Sequence, residues 1–212
     1  MVSYFDSWLM ILSASLLGSM IPGISFALVL RNTLKSSRAT GIWTAFGLAM
    51  GMSIYALIVL LGLAIFIMHN TVLSNFIRWG GAAYLAYIGI GCILTKKKKH
   101  KTAILKNENL VISAKKALGM GFLTNLLNPK VMLFFLALFT QFIHPDMPAT
   151  LEWVYGLTIV LVEFLWFSFV AILLTHPVLH HKFQRSSHWI ERCSGVILLL
   201  ISTNLIVGQL LS

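Results

Sequence analysis

Six long apolar stretches decide what this chain can become. They lie near residues 8–30, 42–67, 72–95, 119–143, 153–175 and 190–211, each between 22 and 26 residues long. About 20 mostly apolar residues suffice for a helix to cross the hydrocarbon core of a bilayer. The sequence therefore predicts an all-α, polytopic integral membrane protein with six transmembrane helices. The remaining connections and ends leave no room for a soluble domain besides. Composition agrees: 58% of the 212 residues are hydrophobic and 10% are charged, against roughly 25% charged in a soluble domain. A soluble globule, a disordered chain, a collagen, a coiled coil and a disulfide scaffold are all excluded on that ground. The first stretch is expected to be a span and not a cleaved leader, because Met1–Ser7 carries no Lys or Arg.

The charge balance is basic, with 16 Lys and Arg against 6 Asp and Glu. Its distribution matters more than its sum. Arg31, Lys35 and Arg38 fall in loop 31–41, and eight lysines, from Lys96 to Lys116, in loop 96–118. Lys182, Arg185 and Arg192 fall in or just after loop 176–189. The alternate connections hold only Arg78 as a base, with Asp146 and Glu152 in or beside loop 144–152. Basic loops stay cytoplasmic, so both termini are expected outside. The run Lys96–Lys99 is read as a plain topology anchor in preference to a site for nucleic acid or anionic lipid. Arg78, inside the third stretch, can snorkel to the outer surface.

Three spans on each side of the central basic loop start in opposite directions. That is the condition for two inverted three-helix repeats in one domain of residues 1–212, with halves near 1–95 and 116–212. Each half opens with a broken helix, at Pro22-Gly23 and at Asn128-Pro129. Each third helix carries Arg-x-x-Gly near its expected start, Arg78 to Gly81 and Arg192 to Gly195. Gly47-x-x-x-Gly51, Ala14-x-x-x-Gly18 and Ser15-x-x-x-Ser19 offer small faces for close helix contact.

Two charges lie deep in the apolar stretches. Lys130 and Glu163 stand 11 and 10 residues into adjacent spans, which puts both near the bilayer midplane. A lone Lys there costs about 2.5–3.5 kcal/mol to insert. Such residues face the protein interior and mark a substrate or ion path, and each is the other's natural partner. Asn128-Pro129-Lys130 also reads as the start of a half-helix, with Asn as the cap and Pro at the first helical position. Its free N–H groups and dipole can hold an anion. Pro22-Gly23 offers the same, with the Ser25 hydroxyl added. The candidate substrate site is therefore Pro22, Gly23, Ser25, Asn128, Pro129 and Lys130, with Glu163 as the proton-coupling acid. A proline kink and a packing ion pair remain the plainer alternatives.

Other chemistry has little support. Cys92 and Cys193 are far apart and form no CxxC. His176, His180, His181 and His188 cluster in the third basic loop, where a solvated loop is the simpler reading than a metal site. There is no HExxH, no GxSxG and no mid-span His, so an enzyme is not expected, nor a cofactor or bound metal.

With these residues in view, the chain resembles the lysine-exporter superfamily, in particular its homoserine/threonine-efflux (LysE/RhtB-type) branch. The matching residues are Ile21-Pro22-Gly23; Gly41, Gly47 and Gly51; Trp79 through Leu85 with Gly89; Asn128-Pro129-Lys130 with Phe134-Phe135 and Gln141-Phe142; and Gly195. The chain departs from the family's usual Pro-Gly-Pro by having Pro22-Gly23-Ile24-Ser25. The resemblance implies a secondary transporter in a bacterial inner membrane. It would export amino acids or close derivatives by proton antiport, with an acidic residue in the fifth span at Glu163. Partners would be the small-molecule amino acid, protons and the lipid bilayer, with a homo-oligomer compatible and nucleic acid not expected. Efflux of another small solute or of a metal cation, or a non-transporting assembly role, are the alternatives. The charge pattern makes a direct prediction. In a cysteine-free background, single cysteines in loop 96–118 should resist an impermeant thiol reagent in intact cells, while cysteines near Asp146 should react. The opposite labelling would reverse the orientation.

Overall fold

The computed structural model describes residues 4–60, 71–94, 112–142, 147–174 and 177–210. Among them the regular structure is helical throughout, with no strand. The helices are α1 (Tyr4–Met20), α2 (Ile24–Lys35), α3 (Arg38–Ile58) and α4 (Thr71–Leu94) in the first part of the chain. They continue as α5 (Ala114–Leu126), α6 (Pro129–Phe142), α7 (Ala149–Leu174) and α8 (Pro177–Leu210). Four of them, α3, α4, α7 and α8, are long and apolar enough to cross a membrane singly. The other four form two bent pairs: α1 with α2 at 60° and α5 with α6 at 62°. Counting each pair as one broken span gives the six crossings expected from the sequence, and the breaks fall at Pro22-Gly23 and Asn128-Pro129.

Local chemistry fixes the boundaries. Ser37 caps α3 by accepting from the Thr40 N–H at 3.2 Å, and Ser113 caps α5 by accepting from Lys116 at 3.4 Å. A serine hydroxyl at this position satisfies one of the N–H groups that a helix start leaves without an acceptor. Two expectations are corrected here. The first basic connection is only the short turn at Ser36-Ser37, since Arg31 and Lys35 belong to α2 and Arg38 opens α3. The third basic segment is no loop from residue 177 onward: His180, His181 and His188 lie on α8. Lys, Arg, Gln and Leu are good helix formers, and the stretch continues directly into an apolar helix. The Arg-x-x-Gly pairs accordingly sit within α4 and α8 and not at their starts. His176, Lys96–Lys101, Lys106 and Asp146 lie outside the described residues.

Small residues set the closest seams. Gly47 of α3 faces the Leu118 carbonyl of α5, and Gly121 of α5 faces the Thr44 carbonyl of α3. A Cβ on Gly51 would lie 2.8 Å from the Phe122 carbonyl oxygen. Here only hydrogen fits, because backbone meets backbone. A second seam joins α4 and α8, where Gly89 and Gly195 abut each other's carbonyls; Gly81 instead lies against Ala137 of α6. Polar side chains tie further pairs. Trp8 donates to the Thr158 hydroxyl at 3.0 Å and Tyr155 to the Tyr4 carbonyl at 2.7 Å, joining α1 to α7. Ser202 donates to the Ala82 carbonyl at 2.8 Å, joining α8 to α4. The outer face is apolar: Leu157, Leu161, Leu165 and Phe169 make an exposed stripe along α7, each four residues from the last as one helix face requires.

The α3–α5 seam yields a test. Gly47→Ala should lower stability by about 1–3 kcal/mol through overpacking against backbone. Gly80→Ala, where nothing stands within 4 Å, should not lower it and should raise it by about 0.5–1 kcal/mol, since alanine is the better helix former. Thermal unfolding of the purified protein in detergent reads both; equal midpoints would mean the seam relaxes freely.

Candidate functional site

The break between α5 and α6 is built by its own residues. Pro129 takes the first position of α6, where its missing N–H is no loss. The Asn128 side-chain oxygen accepts from the Lys130 N–H at 3.1 Å, and its carbonyl accepts from Val131 and Met132 at 3.1 and 3.2 Å. This is the N-cap expected from Asn-Pro-Lys. On the other side of the break the last carbonyls of α5 need donors. The Tyr55 hydroxyl of α3 supplies one to Leu126 and stands 3.5 Å from the Asn125 carbonyl. Tyr84 of α4 donates to the Lys130 carbonyl at 3.4 Å.

The break between α1 and α2 is built differently. Gly23 holds the cap position of α2 in an extended conformation and has no side chain to close it. Its carbonyl accepts from Ala27 at 3.0 Å, which starts the ladder one turn in. The first N–H groups of α2 thus have no acceptor within the helix.

Both breaks open on one cavity of about 300 Å³. Pro22, Gly23, Ser25, Asn128, Lys130 and Glu163 all line it, together with Ser15 and Ser19 of α1. Phe134, Ile159 and Phe167 supply apolar wall. The structure so brings together every residue of the expected site except Pro129, which shapes the break without reaching the wall. Lys130 and Glu163 are the charged residues among those lining it. A cavity of this size stands at the small end for ligand sites, which run from about 300 Å³ upward.

Glu163 is 4% exposed. Both its oxygens accept from the Asn125 side-chain amide, at 3.0 and 3.1 Å. The same amide nitrogen donates to the Leu48 carbonyl of α3 at 2.7 Å, and the amide oxygen faces the Ser25 hydroxyl at 3.5 Å. The sequence reading gave Glu163 a partner in Lys130 and overlooked Asn125. The available signal was a second asparagine in an apolar span, three residues before Asn128, where an amide must find partners.

With this geometry the relatives can be stated. The family described as LysE type translocator matches residues 16–209, and the chain belongs to that family. It is thus a multi-pass membrane transporter of the efflux type. The threonine efflux protein of Escherichia coli (strain K12) is 27% identical over 190 residues, covering 90% of this chain and 92% of that protein. The threonine efflux protein of Salmonella typhi is 28% identical over the same shares. The uncharacterized membrane protein YrhP of Bacillus subtilis (strain 168) is 29% identical over 184 residues, or 84% of this chain and 88% of that one. No solved structure matches.

The cap makes its own prediction. Asn128→Ala should cost about 1 kcal/mol of stability, read as a lowered unfolding midpoint, and Asn128→Ser should keep most of it. An unchanged midpoint in Asn128→Ala would show that water or another group replaces the cap.

Proposed function

We propose that this protein exports a small zwitterionic amino acid, or a close derivative, from the bacterial cytoplasm across the inner membrane in exchange for protons. The observation that carries the reading is the single cavity at two helix breaks with Lys130 and Glu163 on its wall. The threonine efflux relatives supply the substrate class. The similar bends of the two pairs, at matching places in the chain, support the two halves as inverted repeats. The clustering of basic residues in alternate segments of the chain supports both termini outside.

The chemistry follows from the charges. The substrate carboxylate binds Lys130 between the N-terminal ends of α2 and α6, where two positive dipole ends reach the cavity. The substrate ammonium binds ionised Glu163. A zwitterion then neutralises both wall charges and leaves none for a charged side chain, so uncharged side chains fit best. Once substrate has left on the outer side, Glu163 takes up a proton. Its neutral form no longer holds Lys130 and permits the return to the inward-facing state. Each cycle so exchanges outgoing substrate for incoming protons.

Inside-out vesicles test this. A labelled panel of neutral amino acids should accumulate with a proton gradient and not without one. Glu163→Gln, which keeps size but cannot ionise, should abolish gradient-driven accumulation while leaving some substrate binding or exchange. Lys130→Met should weaken binding itself, and Lys130→Arg should restore it only in part, because a planar fork replaces a compact charge. Normal gradient-driven export by Glu163→Gln would remove the proton role. Normal export by the double variant Lys130→Met/Glu163→Leu would reduce the pair to packing.

A further inference from the structure

Asn125 is fully buried, at 0% exposure, and stands behind the cavity wall among the described residues. Its side chain grips two residues that do line the wall, Glu163 of α7 and Ser25 of α2. Its amide nitrogen also donates to the Leu48 carbonyl of α3 at 2.7 Å. One side chain on the last turn of α5 thus joins α2, α3 and α7 beside the break.

The orientation of that amide has no alternative. Its NH₂ group faces two acceptors, a main-chain carbonyl and a carboxylate. Turning the amide over would set its oxygen against both and leave three acceptors facing one another. The Leu48 carbonyl therefore holds the NH₂ group in place, and the NH₂ group can only donate to Glu163. Sharing its second N–H between both oxygens, at 3.0 and 3.1 Å, anchors the carboxylate at one place beside the break. Glu163 lines the cavity and Asn125 does not, so the carboxylate is held from behind the wall it forms.

We propose that Asn125 is the positioning residue that aims the Glu163 carboxylate at the substrate ammonium, and so sets the discrimination between an amino acid and the same acid without its amino group. The proposal rests on the reading of Glu163 as the group that meets the ammonium. A residue acting only on folding would weaken both kinds of ligand alike. A residue that aims the carboxylate weakens the amine-bearing ligand alone.

The experiment uses the full-length protein in proteoliposomes. The probes are L-threonine, or the best-transported member of the neutral panel, and its analogue with hydrogen in place of the α-amino group. Each competes against the labelled amino acid. The unmodified protein should prefer the amine-bearing probe. Asn125→Leu and the milder Asn125→Ser should each reduce that preference about tenfold, the worth of one hydrogen bond to a charged group, while affinity for the analogue stays within about twofold. Glu163→Gln should reduce the preference as well. Adding Asn125→Ser to Glu163→Gln should then bring no further loss, because one residue acts through the other. Equal weakening of both probes in the Asn125 variants, or losses that add in the double variant, overturns the proposal. Should Asn125→Leu fail to fold, Asn125→Ser decides alone. An intact preference in Glu163→Gln would remove the reading of Glu163 and this inference with it. A lost preference in Glu163→Gln with an intact one in both Asn125 variants removes only the inference. A panel in which the unmodified protein moves no amino acid ends both.

Discussion

In a bilayer the backbone has no water to turn to, and every N–H and C=O must find a partner inside the protein. An unbroken helix meets that demand by itself. A broken one does not, so each break must be covered by protein or must line a cavity. The two breaks here show both solutions. At Asn128-Pro129 the chain supplies its own cap, and Tyr55 reaches across from α3 to the carbonyls that α5 leaves open. At Pro22-Gly23 the cap position has no side chain at all, and the first turn of α2 opens on the cavity.

That difference assigns the two half-helices different work on the proposed reading. The start of α6 brings a fixed charge, Lys130, to a break already closed on itself. The start of α2 brings main-chain N–H groups and the Ser25 hydroxyl. A carboxylate between them meets a cation on one side and the positive dipole end of α2 on the other. Glu163 enters from a third element, α7, which is unbroken from Ala149 to Leu174. A continuous helix suits a carboxylate that must hold its place, since its rotamer is backed by a full ladder on both sides.

The spans, the two breaks and the deep charges were legible in the sequence because each is a local signal. An apolar run of bilayer length, a Pro after Asn or before Gly, and a charge in mid-span all announce themselves within a few residues. What escaped was relational. Asn125 looks like any polar residue near a helix end until Leu48, Ser25 and Glu163, far from it in the chain, are brought around it. The first turns of α8 were read as a loop because their Lys, Arg and His content lowers hydropathy, yet hydropathy reports burial in lipid and not helix formation. Similarly, Gly81 and Gly195 looked equivalent by spacing, but Gly195 meets Gly89 and Gly81 meets Ala137. Spacing along one helix cannot say which neighbour the small face will find.

The seams also bear on how such a molecule could move. The glycine contacts join α3 to α5 and α4 to α8, so each crosses from one half of the chain to the other. At those seams backbone lies on backbone, and separating them would open voids that no side chain can fill. The contact of α1 with α6 is of another kind. There the Phe134 ring lies over Gly18, on the cavity wall, and the tip of a side chain can turn where a carbonyl cannot. Two halves rocking as whole bodies would have to break the glycine seams. Rotation of wall side chains and bending at residues 21–23 and 127–128 leaves them intact. On the proposed reading, alternating access is therefore cheapest at the helix breaks and the aromatic wall, the same places where Lys130 and Glu163 are found.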